Sequence, residues 1–180
     1  KRVFIIGIRN DIKKSFLFPP IGLFKPNKTL KDALADLPNP KPGLEKNKSN
    51  FKNHITDSNQ VSNNEFMIGT FSTIFMSRNR VRNWDEPSFT IQAGGRHAPI
   101  HPDAPKMEKV EKDKFQFCKK NISKYRRLSV RECARIQTFP DEFVFFYNQV
   151  ADAYKMIGNA VPVKLAEAIA VEINNQLFKS

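Results

Sequence analysis

Cysteine is scarce in this sequence, and the scarcity excludes several kinds of site. Only two cysteines occur among 180 residues, Cys118 and Cys133, and neither belongs to a CxxC pair or a histidine cluster. A disulfide scaffold or a structural zinc site is therefore excluded, and the cysteine content is typical of a protein from a reducing cytoplasm. Apolar runs fall well short of a membrane span, and no signal peptide is visible.

Patterns of catalytic residues are also missing. The sequence has no Ser/His/Asp order, no paired carboxylates in a glycine-rich setting and no phosphate-binding loop. The lysines beside Cys118 could lower the pKa of its thiol, but no base stands nearby, and Cys133 is predicted to be a core thiol. His97 and His101 are four residues apart, but nearby prolines break any helix that would align them, so we predict turn or DNA-surface histidines rather than metal ligands.

Positive charge is what the sequence has in excess. It contains 30 Lys and Arg against 18 Asp and Glu, a formal net charge of +12 with a pI near 9.8. Such an excess attracts polyanions, of which nucleic acid is the commonest, although a basic protein without such a partner is the alternative. The 40% hydrophobic content and 16 phenylalanines suffice for a packed core, in one domain or two unequal lobes.

Short apolar runs predict the strands. Val3–Ile8 is continuous and rich in β-branched residues, which predicts a strand buried on both faces. Because this run begins almost at the first residue and no initiator methionine precedes it, we expect a C-terminal piece of a longer protein. Met67–Met76 and Ser88–Ala93 are also predicted to be strands, and Gly94-Gly95 a turn.

Capping signals predict three helices. Thr29 can cap a short helix, and Ser129 with Glu132 forms a capping box at the start of a second. A terminal helix over Val163–Leu177 follows Pro162, a residue suited to the first helical position, and Gly158-Asn159 is predicted to be the turn before it. The first helix has one apolar face: Leu30, Ala33, Leu34 and Leu37.

Two clusters of basic residues are candidates for contact with nucleic acid. Arg78, Arg80 and Arg82 have period-two spacing, which puts them on one face of an extended chain, and Arg can bind guanine bidentately. The alternative is a solvated strand face. In the second cluster seven cations surround one acid, Glu132, which indicates phosphate contacts or salt bridges between elements. Its members are Lys119, Lys120, Lys124, Arg126, Arg127, Arg131 and Arg135.

Three segments resemble motifs of the DNA (cytosine-5) methyltransferases. They are KRVFIIGIR (1–9), YRRLSVRECARIQTFPDEF (125–143) and YKMIGNAVPVKLAEAIA (154–170), which are similar to the eighth, ninth and tenth motifs of that family. They occur in the family's order, with a variable segment where the family keeps its target-recognition domain. Within that segment, MSRNRVRNWDEPSFTIQAGGR (76–96) resembles bacterial restriction–modification methyltransferases specific for GGCC.

The resemblance implies an α/β fold, with the chain as the C-terminal part of a bilobal, S-adenosylmethionine-dependent methyltransferase. Residues 1–22 would be a strand of the Rossmann-like large lobe, residues 23–145 a small, mostly β or irregular recognition lobe with the hinge, and residues 146–180 a helix returning to the large lobe. Double-stranded DNA would lie in the cleft, with the target cytosine flipped out of the helix. The protein would work in the bacterial cytoplasm, without a membrane partner.

The family's chemistry is only partly represented in this chain. A cysteine thiolate attacks C6 of the cytosine, a glutamate holds N3, and an arginine of the eighth motif, here Arg2, offsets charge on the pyrimidine. Asn159, Ala160 and Val161 match residues that line the S-adenosylmethionine pocket. The glycine-rich, Pro-Cys and Glu-Asn-Val motifs are absent. We therefore expect the chain to need an N-terminal catalytic part, in the same chain or a split subunit, for methylation and tight cofactor binding.

The resemblance also assigns the DNA-recognition residues. Arg78, Arg80 and Arg82 are predicted to read guanines, and Arg126 and Arg127 to brace the hinge. Thr90 and Ile91 match the family's Thr-Leu pair, and the nearby glycines would let the backbone approach DNA closely. The alternative is a stand-alone DNA-binding protein, against which an uncovered Val3–Ile8 strand argues. The other residues to which the resemblance assigns DNA recognition are Gln92, Gly94, Gly95 and Arg96.

Overall fold

The chain forms two compact units. The computed structural model describes residues 3–19, 28–50, 61–69, 71–73 and 76–179. One unit comprises residues 27–160, and the other combines residues 1–26 with residues 161–180. Residues 146–160, predicted to return to the large lobe, thus belong to the same unit as the predicted recognition lobe. The assignment of the units to lobes stays a prediction.

The unit of residues 27–160 begins with α1 (Leu30–Leu34). Its capping box is complete, because the Thr29 hydroxyl accepts from the Asp32 amide at 3.3 Å and the Asp32 carboxylate accepts from the Thr29 amide at 2.8 Å. Leu30 and Leu34 are buried, and Ala33 and Leu37 pack beside them. The helix predicted from Thr29 is confirmed.

Strands are few and short in this unit. β1 (Lys41–Pro42) pairs in parallel with β2 (Glu65–Phe66), and β3 (Glu108–Glu111) pairs in antiparallel with β4 (Lys114–Gln116). The strand predicted over Ser88–Ala93 is wrong, and so is the one over Met67–Met76 in its described residues. Ile91 there buries its side chain without joining a ladder, which a β-branched composition alone does not distinguish from a strand.

The helix α2 (Val130–Ile136) lies at the centre of the core. The predicted capping box is present: the Ser129 hydroxyl accepts from the Glu132 amide at 3.0 Å, and the Glu132 carboxylate accepts from the Ser129 amide at 2.6 Å. Val130, Cys133 and Ala134 on this helix are fully buried, which confirms the prediction of a core thiol.

Polar side chains of α2 hold the neighbouring loops. Arg131 is fully buried and donates to the carbonyls of Ser62 at 2.9 Å, Pro140 at 3.1 Å and Phe143 at 2.8 Å. Glu132, also buried, accepts two hydrogen bonds of 2.8 Å from the Arg126 guanidinium. Buried charges are tolerated when they are fully hydrogen-bonded in this way.

The helix α3 (Val150–Asn159) includes the residues that were predicted to form a turn. Gly158 and Asn159 are its last two residues, so the predicted turn is wrong. A methyl group on Gly158 would overlap the backbone of Gln92 and Ala93, so glycine permits close packing here. Four residues earlier, the hydroxyl of the buried Tyr154 donates to the Leu128 carbonyl at 2.6 Å.

The other unit contains α4 (Val163–Leu177). Its predicted extent is confirmed, but Pro162 stands at the N-cap rather than at the first helical position. The Gln176 side chain makes two hydrogen bonds of 2.9 Å to the backbone of Leu17. None of the helices in the described part of the chain is long and apolar enough to cross a membrane.

The predicted strand over Val3–Ile8 is not formed. Val3 is 87% and Ile5 93% exposed, and no described strand pairs with these residues. A β-strand needs a neighbour for its backbone hydrogen bonds, and an apolar sequence does not supply one. The prediction of a strand buried on both faces is therefore wrong for this structure.

The ion pair of α2 allows a test of stability. Replacing Glu132→Gln leaves the Arg126 guanidinium beside a neutral amide, and we expect a loss of about 3 kcal/mol in the free energy of unfolding. Urea denaturation followed by the fluorescence of Trp84, the one tryptophan of the chain, measures it. Asp113→Asn, at an exposed turn, is the control and should change stability by less than about 0.5 kcal/mol. Equal stabilities of the two variants would contradict the role of Glu132.

The packing of Gly158 allows a second test. Gly158→Ala must displace the backbone of Gln92 and Ala93, and we expect a loss of about 1–3 kcal/mol by overpacking. Gly94→Ala is the matched control, because a methyl group there meets only the His97 imidazole at an ordinary 3.6 Å. If Gly158→Ala were as stable as Gly94→Ala in the same denaturation experiment, the close packing would be refuted.

Candidate nucleic-acid interface

The backbone of the arginine segment is anchored to a neighbouring loop. The Asn79 side chain accepts from the Met107 amide at 2.8 Å and donates to the Val81 carbonyl at 2.8 Å. The Lys106 ammonium donates to the same Val81 carbonyl at 2.8 Å, and the Val81 side chain is buried. These contacts fix the backbone from which the side chains of Arg78, Arg80 and Arg82 project, although no continuous strand is formed.

The three arginines meet on one aromatic ring. The guanidinium carbons of Arg78, Arg80 and Arg82 lie 5.4, 5.8 and 4.2 Å from the centroid of the Phe89 ring. All three side chains thus point to one side, as their period-two spacing predicted. Arg82 also forms an ion pair of 3.0 Å with Glu86, so part of its donor capacity is used within the protein.

An open cleft adjoins this cluster. It brings together four of the predicted recognition residues, Arg78, Arg80, Thr90 and Gln92. Burial, and then the charge of Arg78, lower the pKa of Arg80, which remains a cation as arginine does in proteins. Two like charges at one cleft favour an anionic or electron-rich ligand. The full lining is Phe71, Arg78, Arg80, Phe89, Thr90, Gln92, His97 and Pro99.

The remaining predicted recognition residues occupy different positions. Ile91 is 4% exposed and belongs to the hydrophobic core, and Gly95 is buried against Met67 and Tyr154. Both therefore position the backbone beside the cleft rather than presenting a surface. Gly94 caps the short 3₁₀ helix Gly95–His97, in agreement with the predicted turn, and Arg96 on that helix is exposed.

The second basic cluster divides into buried or half-buried arginines and exposed lysines. Besides Arg126 and Arg131, the buried Arg127 donates to the carbonyls of Met67 at 2.9 Å and Gly69 at 3.1 Å. Arg135 forms ion pairs with Asp36 and Asp141 that raise its pKa. The arginines therefore bind protein groups within this unit. The exposed members are Lys119, Lys120 and Lys124.

The cysteines do not have the properties of nucleophiles. A hydrogen bond with Glu108 raises the pKa of the Cys118 thiol, so the expectation that nearby lysines lower it is wrong. Burial raises the pKa of the Cys133 thiol well above its usual range. Because thiolates are the reactive form, both sites disfavour nucleophilic attack.

The described histidines have structural surroundings. Burial lowers the pKa of His101, whose ring packs edge-on against Trp84 at 5.3 Å with Glu132 at 3.7 Å. His97 lines the cleft. Among the described residues, no group of three or more His, Cys, Asp or Glu side chains is placed to hold a metal ion.

The residues predicted to contact the cofactor lie where α3 ends. Asn159 is exposed at the last position of α3, and Ala160 caps the helix by donating from its amide to the carbonyls of Met156 and Ile157. Val161 is 39% exposed and begins the segment of the other unit. Arg2, the predicted catalytic residue, lies outside the described residues.

Phe89 is the site residue that sequence reasoning missed. In the sequence it stands in an apolar stretch beside Thr90 and Ile91 that was predicted to be a strand, so it was not distinguished from a core aromatic. Its position seven residues after Arg82 carries no periodic signal. Only the fold brings it to the arginines.

The chain is similar to known DNA methylases over nearly its whole length. The family model for the C-5 cytosine-specific DNA methylase matches residues 1–175. The chain is 61% identical over 180 residues to the Type II methyltransferase M.MthTI of Methanothermobacter thermautotrophicus, covering 98% of this chain and 52% of that protein. It is 50% identical over 179 residues to M.FnuDI of Fusobacterium nucleatum, covering 98% and 51%.

A third relative has the same coverage. M.NgoPII of Neisseria gonorrhoeae is 50% identical over an alignment of 180 residues that covers 98% of this chain and 51% of that protein. The chain thus spans about half the length of the curated relatives it matches. The match to the family model over nearly its whole length shows that this chain belongs to the C-5 cytosine-specific DNA methylase family.

Proposed function

We propose that this chain forms the DNA-recognition surface and one side of the S-adenosylmethionine pocket of a complete DNA (cytosine-5) methyltransferase. The complete enzyme would methylate a cytosine in double-stranded DNA, within the sequence GGCC. The observation that carries this proposal is the cleft with Arg78, Arg80, Thr90 and Gln92 on its lining. Guanidiniums are the groups that read guanine edges bidentately in the major groove, and the cleft presents two of them.

Phosphate contacts would come from the exposed lysines. Lys119, Lys120 and Lys124 lie on the 3₁₀ helix Lys119–Lys124 and remain exposed, whereas the neighbouring arginines bind protein groups. Lysine suits this role, because it is a hydrated point charge that binds phosphate without reading a base. The lysines would thus hold the duplex while the cleft reads the sequence.

Chemistry would require an N-terminal part of the enzyme. The raised pKa values of both thiols in this chain support a nucleophilic cysteine located elsewhere. Val3 and Ile5, apolar and almost fully exposed, support cover by such a part. The target cytosine would be flipped out of the duplex into that part, as for other enzymes that act on a base.

The cofactor would be held jointly. Asn159, Ala160 and Val161 would contact S-adenosylmethionine from the side of this chain, with the Asn159 amide as the polar group. The cofactor, when bound, supplies the methyl group. Arg2 would offset negative charge that develops on the pyrimidine, which a fixed cation can do without reorganisation.

The recognition role is tested by Arg80→Ala in the complete enzyme. We expect a loss of about 1–3 kcal/mol in binding to a GGCC duplex, together with relaxed specificity at one base pair, because a bidentate contact to one base is removed. Equilibrium binding to a GGCC duplex measures the loss of affinity, and methylation of duplexes that carry each single-base change, measured with labelled S-adenosylmethionine, measures the specificity.

The matched control is Lys112→Ala, a cation removed from the exposed turn between β3 and β4. It should leave the ranking of duplexes unchanged. If Arg80→Ala also left the ranking and the affinity unchanged, the cleft would not be the recognition surface. If the unmodified enzyme preferred another sequence, only the assignment to GGCC would be refuted.

A further inference from the structure

We propose that Phe89 is a positioning residue for sequence recognition, whose ring fixes the directions of the Arg78 and Arg80 guanidiniums in the cleft. This inference rests on the proposed function of the cleft. The ring lies within 6 Å of three guanidinium carbons, at 5.4, 5.8 and 4.2 Å, and it lines the cleft itself. Cations at such distances are attracted to the face of an aromatic ring.

Arginine needs such a support in order to discriminate between bases. Its side chain is long and rich in rotamers, so a bidentate contact requires that the guanidinium be held near the productive direction before DNA arrives. The backbone anchors at Asn79 and Val81 fix only where each side chain starts. The contacts with the Phe89 ring act at the other end of the side chain.

The ring is itself held in place from two sides. Ile91, two residues after Phe89, is buried in the core, so the backbone beside the ring is fixed. Arg82 lies closest to the ring and is tied to Glu86 at 3.0 Å. Glu86 in turn accepts from the Asn83 amide at 2.6 Å and lies 3.8 Å from the Lys106 ammonium.

The three arginines therefore have different tasks. Arg82 is anchored by its ion pair and braces the ring, and it does not belong to the lining of the cleft. Arg78 and Arg80 line the cleft and contact the same ring from greater distances. The ring offsets part of the repulsion between these two cations, which would otherwise turn them apart.

The test compares substitutions of Phe89 in the complete enzyme. Phe89→Leu keeps an apolar side chain but removes the ring, and Phe89→Tyr keeps the ring. The measured quantity is the ratio of kcat/KM for a GGCC duplex to that for a duplex with one base pair changed. We expect Phe89→Leu to lower this ratio about tenfold, the effect of losing one well-placed bidentate contact, and Phe89→Tyr to stay within about twofold of the original enzyme.

Two further variants separate positioning from folding. Phe143→Leu removes a half-exposed ring that packs on Phe139 and Phe145, away from the lining of the cleft, and it should leave the ratio unchanged. Glu86→Gln releases Arg82 while keeping Phe89, and it should lower the ratio by a smaller factor, which keeps the proposal testable if Phe89→Leu does not fold. Equal losses of kcat/KM on all duplexes in the Phe89→Leu and Glu86→Gln variants would show a merely structural role and overturn the proposal.

Arg80→Ala, measured in parallel, distinguishes failure of the positioning role of Phe89 from failure of the proposed function of the cleft. If Arg80→Ala lowers the ratio and Phe89→Leu leaves it unchanged, the positioning role of Phe89 is wrong while the recognition cleft stands. If Arg80→Ala also leaves the ratio unchanged, the proposed function of the cleft is wrong. A lower ratio in both Arg80→Ala and Phe89→Leu, with Phe89→Tyr within about twofold of the original enzyme, supports both.

Discussion

The buried carboxylate of Glu132 is the constraint on which the unit of residues 27–160 depends. It closes the capping box of α2 with Ser129 and accepts two hydrogen bonds from Arg126, all at a position that is almost inaccessible to water. The adjacent Arg131 donates to the carbonyl of Ser62, which is distant in sequence, and to those of Pro140 and Phe143 in the loop after α2. Since a buried charge is costly without its partners, these contacts fix where the loops can lie.

From this centre the constraint extends to the candidate interface. Tyr154 of α3 donates to the Leu128 carbonyl just before α2, and Gly158 lets the same helix pack against the backbone of Gln92 and Ala93. The segment beside the cleft is therefore held by helix packing although it contains no regular strand. A recognition surface on irregular backbone can be accurate in this way, because its support lies in the core rather than in a hydrogen-bonded ladder.

Local signals predicted part of this structure and missed the rest for physical reasons. Capping boxes predicted the starts of α1 and α2, since they depend on neighbours in sequence, and helical spacing of apolar residues predicted α4. Gly158 was predicted to form a turn, because the neighbouring sequence carries no signal of its actual role. That role is close packing against another segment. Ile91 and Phe89 show the same limit at the site: both are apolar in one stretch, yet one enters the core and the other meets the arginines. Resemblance to the family pointed to the arginines, and only the fold separates Arg82 from its two neighbours.

The central claim is that the surface of Thr90 and Gln92, with Arg78 and Arg80, contacts the bases of the recognised sequence. Photocrosslinking tests it most directly, with p-benzoylphenylalanine placed at Thr90 of the complete enzyme and, as a comparison, at Val110, which is 44% exposed on β3. We expect crosslinks from position 90 to the GGCC base pairs of a duplex, and few from position 110. Crosslinks from position 110 within GGCC, with none from position 90, would contradict the account.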